Sequence, residues 1–451
     1  MNLFVVIPVL VLLAALLYGL SKWQRKIDEV QRERVLADLR EAEDRGTARP
    51  IAQHPSIDVQ ACIGCGSCVA ACPEEGVLGM VDGVARVIHG ARCVGHGRCA
   101  DACPVSAVVV GLGDVSQRTD IPVLSEQLET TVPGIYIAGE LGGFSLIRNA
   151  VKQGVSAVNT IAASLRATPN PPEESPPLDL LVVGSGPAGI AASLRATELG
   201  LRYATIDQQD IGGTVRKYPR RKLTLTGPLE LPIVGRLKRT EYRKEELIAL
   251  WEEIIAQHQL KIRSGMKLNE VARHGDVLVA QTSGGVIRAR RILLALGKRG
   301  TPRKLGVPGE QLDKVFYQIA DTATYQQQHL LVVGGGDSAI EAATGLANQR
   351  GNVVTLSYRR PNFFRLKARN EKRIEEYVAK GKLRVIHEST VESIDDERVV
   401  LSVTENGVTR QVPLRNDHVF VFAGGEPPYE LLQQMGVRFG GEQPALAEAK
   451  R

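Results

Sequence analysis

Seven cysteines and one histidine hold the first chemistry legible in this chain. Residues 62–73 read Cys-Ile-Gly-Cys-Gly-Ser-Cys-Val-Ala-Ala-Cys-Pro, the C-x-x-C-x-x-C-x-x-x-C-P run that holds iron–sulfur clusters. Three thiolates two residues apart on a tight loop reach three irons of one cube, while the fourth, followed by helix-limiting Pro73, points to another cluster. Thirty-one residues on, Cys93, His96, Cys99, Cys103 and Pro104 stand in register with Cys62, Cys65, Cys68, Cys72 and Pro73, so the run is an internal repeat. A zinc site also uses Cys and His, but four ligands closed by Pro and then repeated argue against it. No cysteine follows Cys103, which excludes a disulfide framework spread over the fold.

A second chemistry belongs to glycine. Leu178 to Val183 reads as an apolar strand that runs into Gly184-Ser185-Gly186-Pro187-Ala188-Gly189 and then a helical pattern. That is the dinucleotide fingerprint in the context it requires: Gly184 for the tight turn, Gly186 for approach to a pyrophosphate, Gly189 for helix-to-strand packing. Tyr203 to Ile206 reads as the second strand and ends in Asp207, placed for ribose hydroxyls. A second copy follows: His329 to Val333 as strand, Gly334-Gly335-Gly336-Asp337-Ser338-Ala339 as fingerprint, and Asn352 to Ser357 as next strand. Its nucleotide contacts are expected from Gly334, Gly336 and Ala339. No acid closes this strand; Tyr358-Arg359-Arg360 stands there with Arg365 shortly after. Guanidinium groups at that point suit a 2′-phosphate, so NADPH is expected over NADH. A solvated basic turn is the alternative, because Lys367, Arg369, Lys372 and Arg373 make the region basic anyway.

These sites need several folded units to position them, and 451 residues supply about three. A net charge of +6 over the whole chain and 4% aromatic residues argue against a nucleic-acid surface. Mean hydropathy of −0.07 excludes a polytopic membrane protein. Leu3 to Leu20 nevertheless runs 18 residues without a charged side chain, long enough as a helix to span a bilayer core. Lys22, Arg25 and Lys26 follow while no basic residue precedes, so the positive-inside rule places the remainder in the cytoplasm, with Trp23 near the interface. A cleaved signal peptide needs a basic start and a small-x-small site, and Tyr18-Gly19-Leu20 supplies neither. Lys22 to Arg45 reads as a solvated helical stalk, or a short coiled coil.

The repeat resembles the two-cluster bacterial ferredoxins. Their crosswise ligation implies one cluster on Cys62, Cys65, Cys68 and Cys103, and another on Cys93, Cys99 and Cys72 with His96 in the remaining slot. We read His96 as an iron ligand; the alternative is a three-iron cluster that His96 does not touch. An imidazole replacing a thiolate removes a negative charge, which is expected to raise that cluster's potential and make it pH-dependent.

Residues 114–451 resemble the thioredoxin reductase and ferredoxin-NADP reductase flavoproteins of the pyridine nucleotide-disulfide oxidoreductase superfamily. Gly212-Gly213-Thr214 resembles their flavin-approach loop, Ala295-Leu296-Gly297 with Pro302 their link between domains, and Asp417 to Gly424 their strand leading into the last flavin segment. The motif that closes those proteins, Thr-x-x-Pro-Gly-x-Tyr-x-x-Gly-Asp, has its likeness at Thr130 to Glu140, ahead of the first fingerprint. The resemblance therefore implies a circular permutation, with Gly139 and Glu140 at the flavin and Glu140 in place of the usual Asp. The family's redox Cys pair is replaced by Tyr317-Gln318-Ile319-Ala320-Asp321. With no dithiol to reduce, a flavin taking hydride from NADPH must pass electrons elsewhere, and the clusters are one-electron acceptors.

The expected fold class is α/β: two Rossmann-like dinucleotide-binding domains for FAD and NADPH, a small α+β ferredoxin domain and an N-terminal transmembrane helix. The expected boundaries are 3–20 (anchor), 21–50 (stalk), 55–113 (ferredoxin), 114–167 (permuted flavin segment), 168–177 (Pro-rich linker), 178–300 (FAD), 301–416 (NADPH) and 417–451 (closing FAD part). The expected function is a membrane-anchored, single-pass NADPH-dependent flavoprotein facing the cytoplasm. It would exchange electrons through FAD and two clusters with a quinone, a cytochrome or a ferredoxin, and the resemblance allows a homodimer. Two alternatives are a reductase of small disulfides and a redox sensor without turnover. No side chain needs to act as acid or base, so no catalytic residue is named.

Overall fold

The computed structural model describes residues 3–50, 53–112, 119–143, 146–167, 176–218, 220, 222–298, 300–364 and 366–440. The chain divides into two units, Met1–Gly111 and Leu112–Arg451.

In the first unit one helix runs over Leu3–Asp44. Among the described residues no helix is long and apolar enough to cross a membrane; the side chains of residues 3–11, half of the expected anchor, lie outside the described residues. The expected solvated stalk is corrected at its C-terminal end. Val35, Leu36, Leu39 and Ala42 pack with Ala48, Val81 and Ile88, and Arg32 pairs with Asp82 at 2.6 Å. The reason is a helical stripe of small and branched apolar residues, which is buried wherever a matching apolar surface is offered.

The remainder of this unit is a doubled strand–helix–strand motif. His54–Ile57 pairs antiparallel with Val108–Gly111, and Leu78–Val81 with Val84–Val87, so each half lends one strand to each hairpin-like pair. The short helices Ser67–Ala70 and Arg98–Asp101 start after left-handed Gly66 and Gly97, at φ 70° and 79°. That matching pair of turns is the repeat seen as backbone.

In the second unit the first sheet runs Ile262–Arg263, Tyr203–Ile206, Leu178–Val183, Gly285–Leu294, Val277–Thr282, Leu268–His274. Ile135–Ile137, from ahead of the fingerprint, joins it parallel to Ile292–Leu294. One face is covered by the helix Ile147–Ala167 and the fingerprint helix Pro187–Glu198, through Ala157, Val158 and Ile161 against Ala188, Ala192 and Tyr136. The opposite face buries Ile135, Ile137, Val183 and Ile292 with Leu432, Val437 and Phe439 from the C-terminal segment. Residues 113–118 and 168–175, parts of the expected permuted segment and linker, lie outside the described residues.

A second, all-parallel sheet runs Val315–Phe316, His418–Val421, His329–Val333, Val353–Ser357, Arg384–Ile386. Helices Asp337–Ala347 and Ala368–Ala379 cover one face and a three-stranded meander, residues 389–415, the other. This corrects the expected boundary at 417. His418–Val421 is an interior strand of the second sheet, bonded on both sides, because the buried apolar run Val419-Phe420-Val421 suits a strand covered on both faces. The chain returns to the first sheet only after Gly425–Glu426, which pairs with Thr301–Pro302 where the chain had left it.

Candidate functional sites

The first fingerprint turn is built by contacts that leave no room for side chains. Gly184 has φ +111°, and a Cβ there would lie 2.3 Å from the carbonyl oxygen of Ala295; one at Gly189 would lie 1.8 Å from that of Gly184. Gly186 differs: a Cβ would meet nothing nearer than Gly213 Cα at 4.0 Å, so its backbone faces open space at the start of a twelve-residue helix. Asp207 locks the turn from below. Its Oδ2 accepts from the Ser185 amide at 2.6 Å and hydroxyl at 2.8 Å, and Oδ1 from the Gln209 amide at 2.8 Å.

The permuted segment reaches the same place. Ile147–Ala167 lies so close to the fingerprint helix that a Cβ on Gly154 would sit 2.2 Å from the Ala188 carbonyl oxygen. Its Gln153 accepts the Gly139 amide at 2.8 Å. A cleft of about 490 Å³ is lined by Gly139, Glu140, Gly184, Gly186, Asp207, Gly213 and Thr214 together, with Met266, Glu426 and Leu431 completing it. Gly212 and Gly189 shape it from behind, where a Cβ on Gly212 would strike Ile248. Open backbone at a helix N-terminus beside a carboxylate is the donor and acceptor set that a dinucleotide's pyrophosphate and ribose require, and FAD fits it. Gln153 and Ser185 carry no motif signal and were not foreseen.

The second turn repeats the backbone and changes the partner. Gly334, φ +141°, has the Phe422 carbonyl oxygen 2.5 Å from its Cβ position, and Gly335 has the Tyr358 ring at 2.1 Å. Gly336 caps the next helix, where Ala339 is buried. Tyr358 is buried and stacks on Phe363 at 5.1 Å. Arg359 and Arg360 stand exposed just after it, the Arg360 guanidinium 4.2 Å over the Phe364 ring. Arg365 lies outside the described residues. Where the resemblance puts a Cys pair, Ala320 accepts the Arg220 amide at 3.1 Å and Asp321 pairs with the Arg220 side chain at 2.9 Å.

In the ferredoxin domain the thiols fall into two groups. Burial raises Cys68, and the neighbouring Cys62 and Cys103 raise it further. Burial likewise pushes Cys99 up to about 11, with Cys72 and Cys93 adding to it. Cys62, Cys68 and Cys103 thus neighbour one another, as do Cys72, Cys93 and Cys99. A cavity lined by Cys72, Cys93, His96 and Cys99, with Pro73 and Glu74, marks the second compartment. Cys65 is exposed and its pKa is lowered by hydrogen bonding to Ser67. Among the described residues no three Cys, His, Asp or Glu converge as a single metal ion requires, whereas thiols set around a space suit a cluster that bridges them with its own sulfides. The second compartment is also covered: buried Gln53 donates to the carbonyls of Val94 (3.3 Å) and Gly95 (2.9 Å), which line it. Elsewhere in this unit buried Thr47 bonds His89 at 2.8 Å. Neither was anticipated, since a polar residue in a connecting segment carries no pattern.

Residues 181–450 match the model of the pyridine nucleotide-disulphide oxidoreductase family. The chain belongs to that family. It is an FAD-dependent NAD(P)H oxidoreductase, and residues 54–104 of this oxidoreductase match the 4Fe-4S dicluster domain. Among curated relatives, the ferredoxin–NADP reductase of Ignicoccus hospitalis is 30% identical over 60% of this chain and 86% of its own length. The bacilliredoxin reductase of Bacillus subtilis is 25% identical over 58% and 81%. The bacillithiol disulfide reductase of Staphylococcus aureus shares the fold, with TM-score 0.51 at 24% identity over 57% of this chain and 80% of that one.

Proposed function

We propose that this oxidoreductase exchanges electrons between NADPH and a one-electron redox partner through FAD and two iron–sulfur clusters, held at the cytoplasmic face of a membrane by its N-terminal helix. The observation that carries the reading is that all seven cysteines lie between Cys62 and Cys103: the flavin unit has no thiol, and the chain's only other redox groups are the clusters. When bound, FAD supplies the exchange between a two-electron hydride and one-electron carriers. The chain's own residues bind and orient. Gly184, Gly186, Asp207 and Gly213, with Gly139 and Glu140, would hold FAD; Gly334, Gly336 and Arg359 with Arg360 would hold NADPH; Cys62, Cys65, Cys68 and Cys103 would hold one cluster, and Cys72, Cys93, Cys99 and His96 the other. The strand Ile135–Ile137 and the helix after it, seated in the flavin sheet ahead of the fingerprint in sequence, support a circular permutation. The partner in this reading is a membrane quinone, a cytochrome or a ferredoxin.

The test is an anaerobic NADPH titration followed by flavin absorbance and low-temperature electron paramagnetic resonance. Flavin bleaching with the appearance of cluster signals is expected. Flavin bleaching with clusters left oxidised would sink the electron-output direction and leave flow toward NADP⁺. A second reading, reduction of a small disulfide that brings its own sulfurs, is favoured by the likeness to the bacilliredoxin and bacillithiol disulfide reductases; rapid NADPH-dependent turnover of such disulfides would support it over the first.

A further inference from the structure

Each position in one half of the ferredoxin repeat has a counterpart 31 residues away, and the two halves differ in a correlated way. Cys65 answers to His96, and Val105 to Glu74. Because the last Cys of each run joins the other cluster, Glu74 belongs with Cys72 to the compartment of His96, and Val105 belongs with Cys103 to that of Cys65. The compartment with a thiol in the second slot therefore carries valine beside it. The compartment with an imidazole carries a carboxylate.

The geometry joins the two. Glu74 Oε1 lies 3.4 Å from His96 Nε2, at the long end of the hydrogen-bond range, and the side chains are only 16% and 21% exposed. Both line the cavity with Cys72, Cys93 and Cys99. Val105, the counterpart of Glu74, is 40% exposed and apolar.

We propose that Glu74 and His96 act as one unit that replaces the Cys65-type thiolate in the second compartment. Glu74 accepts the His96 Nε2–H and so presents Nδ1 to iron, in the manner of carboxylate–histidine pairs at other metal sites. The imidazole supplies the bond that the thiolate would make, and the carboxylate restores the negative charge one contact further out. Glu74 is thus a positioning residue that sets both the ring's orientation and the cluster's potential. This rests on the reading of His96 as the fourth ligand.

The test uses the full chain, purified anaerobically from cells supplied with ¹⁵N-histidine, with pulsed electron paramagnetic resonance and a redox titration of each cluster. In the unaltered protein one cluster shows a histidine-nitrogen coupling. Glu74→Gln keeps that coupling and shifts the same cluster's midpoint upward, while the other cluster's midpoint stays put. Glu74→Val, which copies the residue at the counterpart position, loses the coupling and gives a three-iron signal on oxidation. Coupling and midpoint unchanged in both variants would overturn the proposal. Coupling lost in the valine variant with an unmoved midpoint in the glutamine variant would overturn the charge replacement. Absence of nitrogen coupling and a three-iron signal in the unaltered protein would instead remove His96 as a ligand. An intact signal from the Cys65 cluster separates all of these from failed assembly.

Discussion

The two nucleotide-binding turns share a backbone and differ in what stands beneath it. In each, the first glycine amide bonds the end of the second strand, Gly184 to Ile206 and Gly334 to Ser357. The next residue of that strand is Asp207 in one and Tyr358 in the other. Asp207 is tied into its turn by Ser185, presenting a carboxylate edge; Tyr358 fills the space under Gly335 with a ring, and the exposed Arg359 and Arg360 follow it. The same turn thus accepts either sign of neighbour, because its grip on a pyrophosphate comes from amides and a helix terminus, while side chains at the strand end select the ribose.

The largest expected effect lies in the shared part. Gly184→Ala combines positive φ with a Cβ only 2.3 Å from a backbone carbonyl oxygen, and a loss of several kcal/mol is expected; flavin content per chain after purification measures it. Gly186→Ala, which meets only open space, should leave the fold stable and weaken FAD retention alone, and equal losses in the two variants would break the distinction. Next in size, replacing both Arg359 and Arg360 by Ala should raise KM for NADPH tenfold or more, at about 1.5–3 kcal/mol per charged hydrogen bond, with little change for NADH. Parallel changes for both nucleotides would reduce these arginines to a solvated turn. The smallest effect is expected of Asp207→Asn, which retains shape but weakens charge-assisted bonds to Ser185: about 1–2 kcal/mol, seen as a drop of a few degrees in Tm and a lower flavin content.

Features whose requirements are set by backbone were legible in the sequence. Gly184, Gly189, Gly334 and the Cys runs announce themselves because few other residues satisfy a left-handed turn or a cluster loop. Which sheet a strand joins was not: Asp417 to Gly424 reads as an apolar strand either way, and only pairing with Val315–Phe316 and His329–Val333 places it. The packing of Val35, Leu36, Leu39 and Ala42 was available as helical spacing, yet the charged residues between them masked it. Gln53 and Thr47 had no signal, since a buried polar side chain is defined by carbonyls or rings that lie elsewhere in the chain. Glu74 had one, but only through the offset of the repeat.

The pairing of Ile135–Ile137 with Ile292–Leu294 bears on how the chain emerges from the ribosome. A strand made early lacks its sheet partner until about 150 further residues have followed, which at about 5–20 residues per second is roughly 8–30 seconds. Gly139 and Glu140 then wait still longer for Glu426 and Leu431, the far wall of their cleft. By that time the ferredoxin domain, wholly encoded upstream, has been complete for most of synthesis. Cofactor loading is therefore expected to follow chain order, iron and sulfide before flavin.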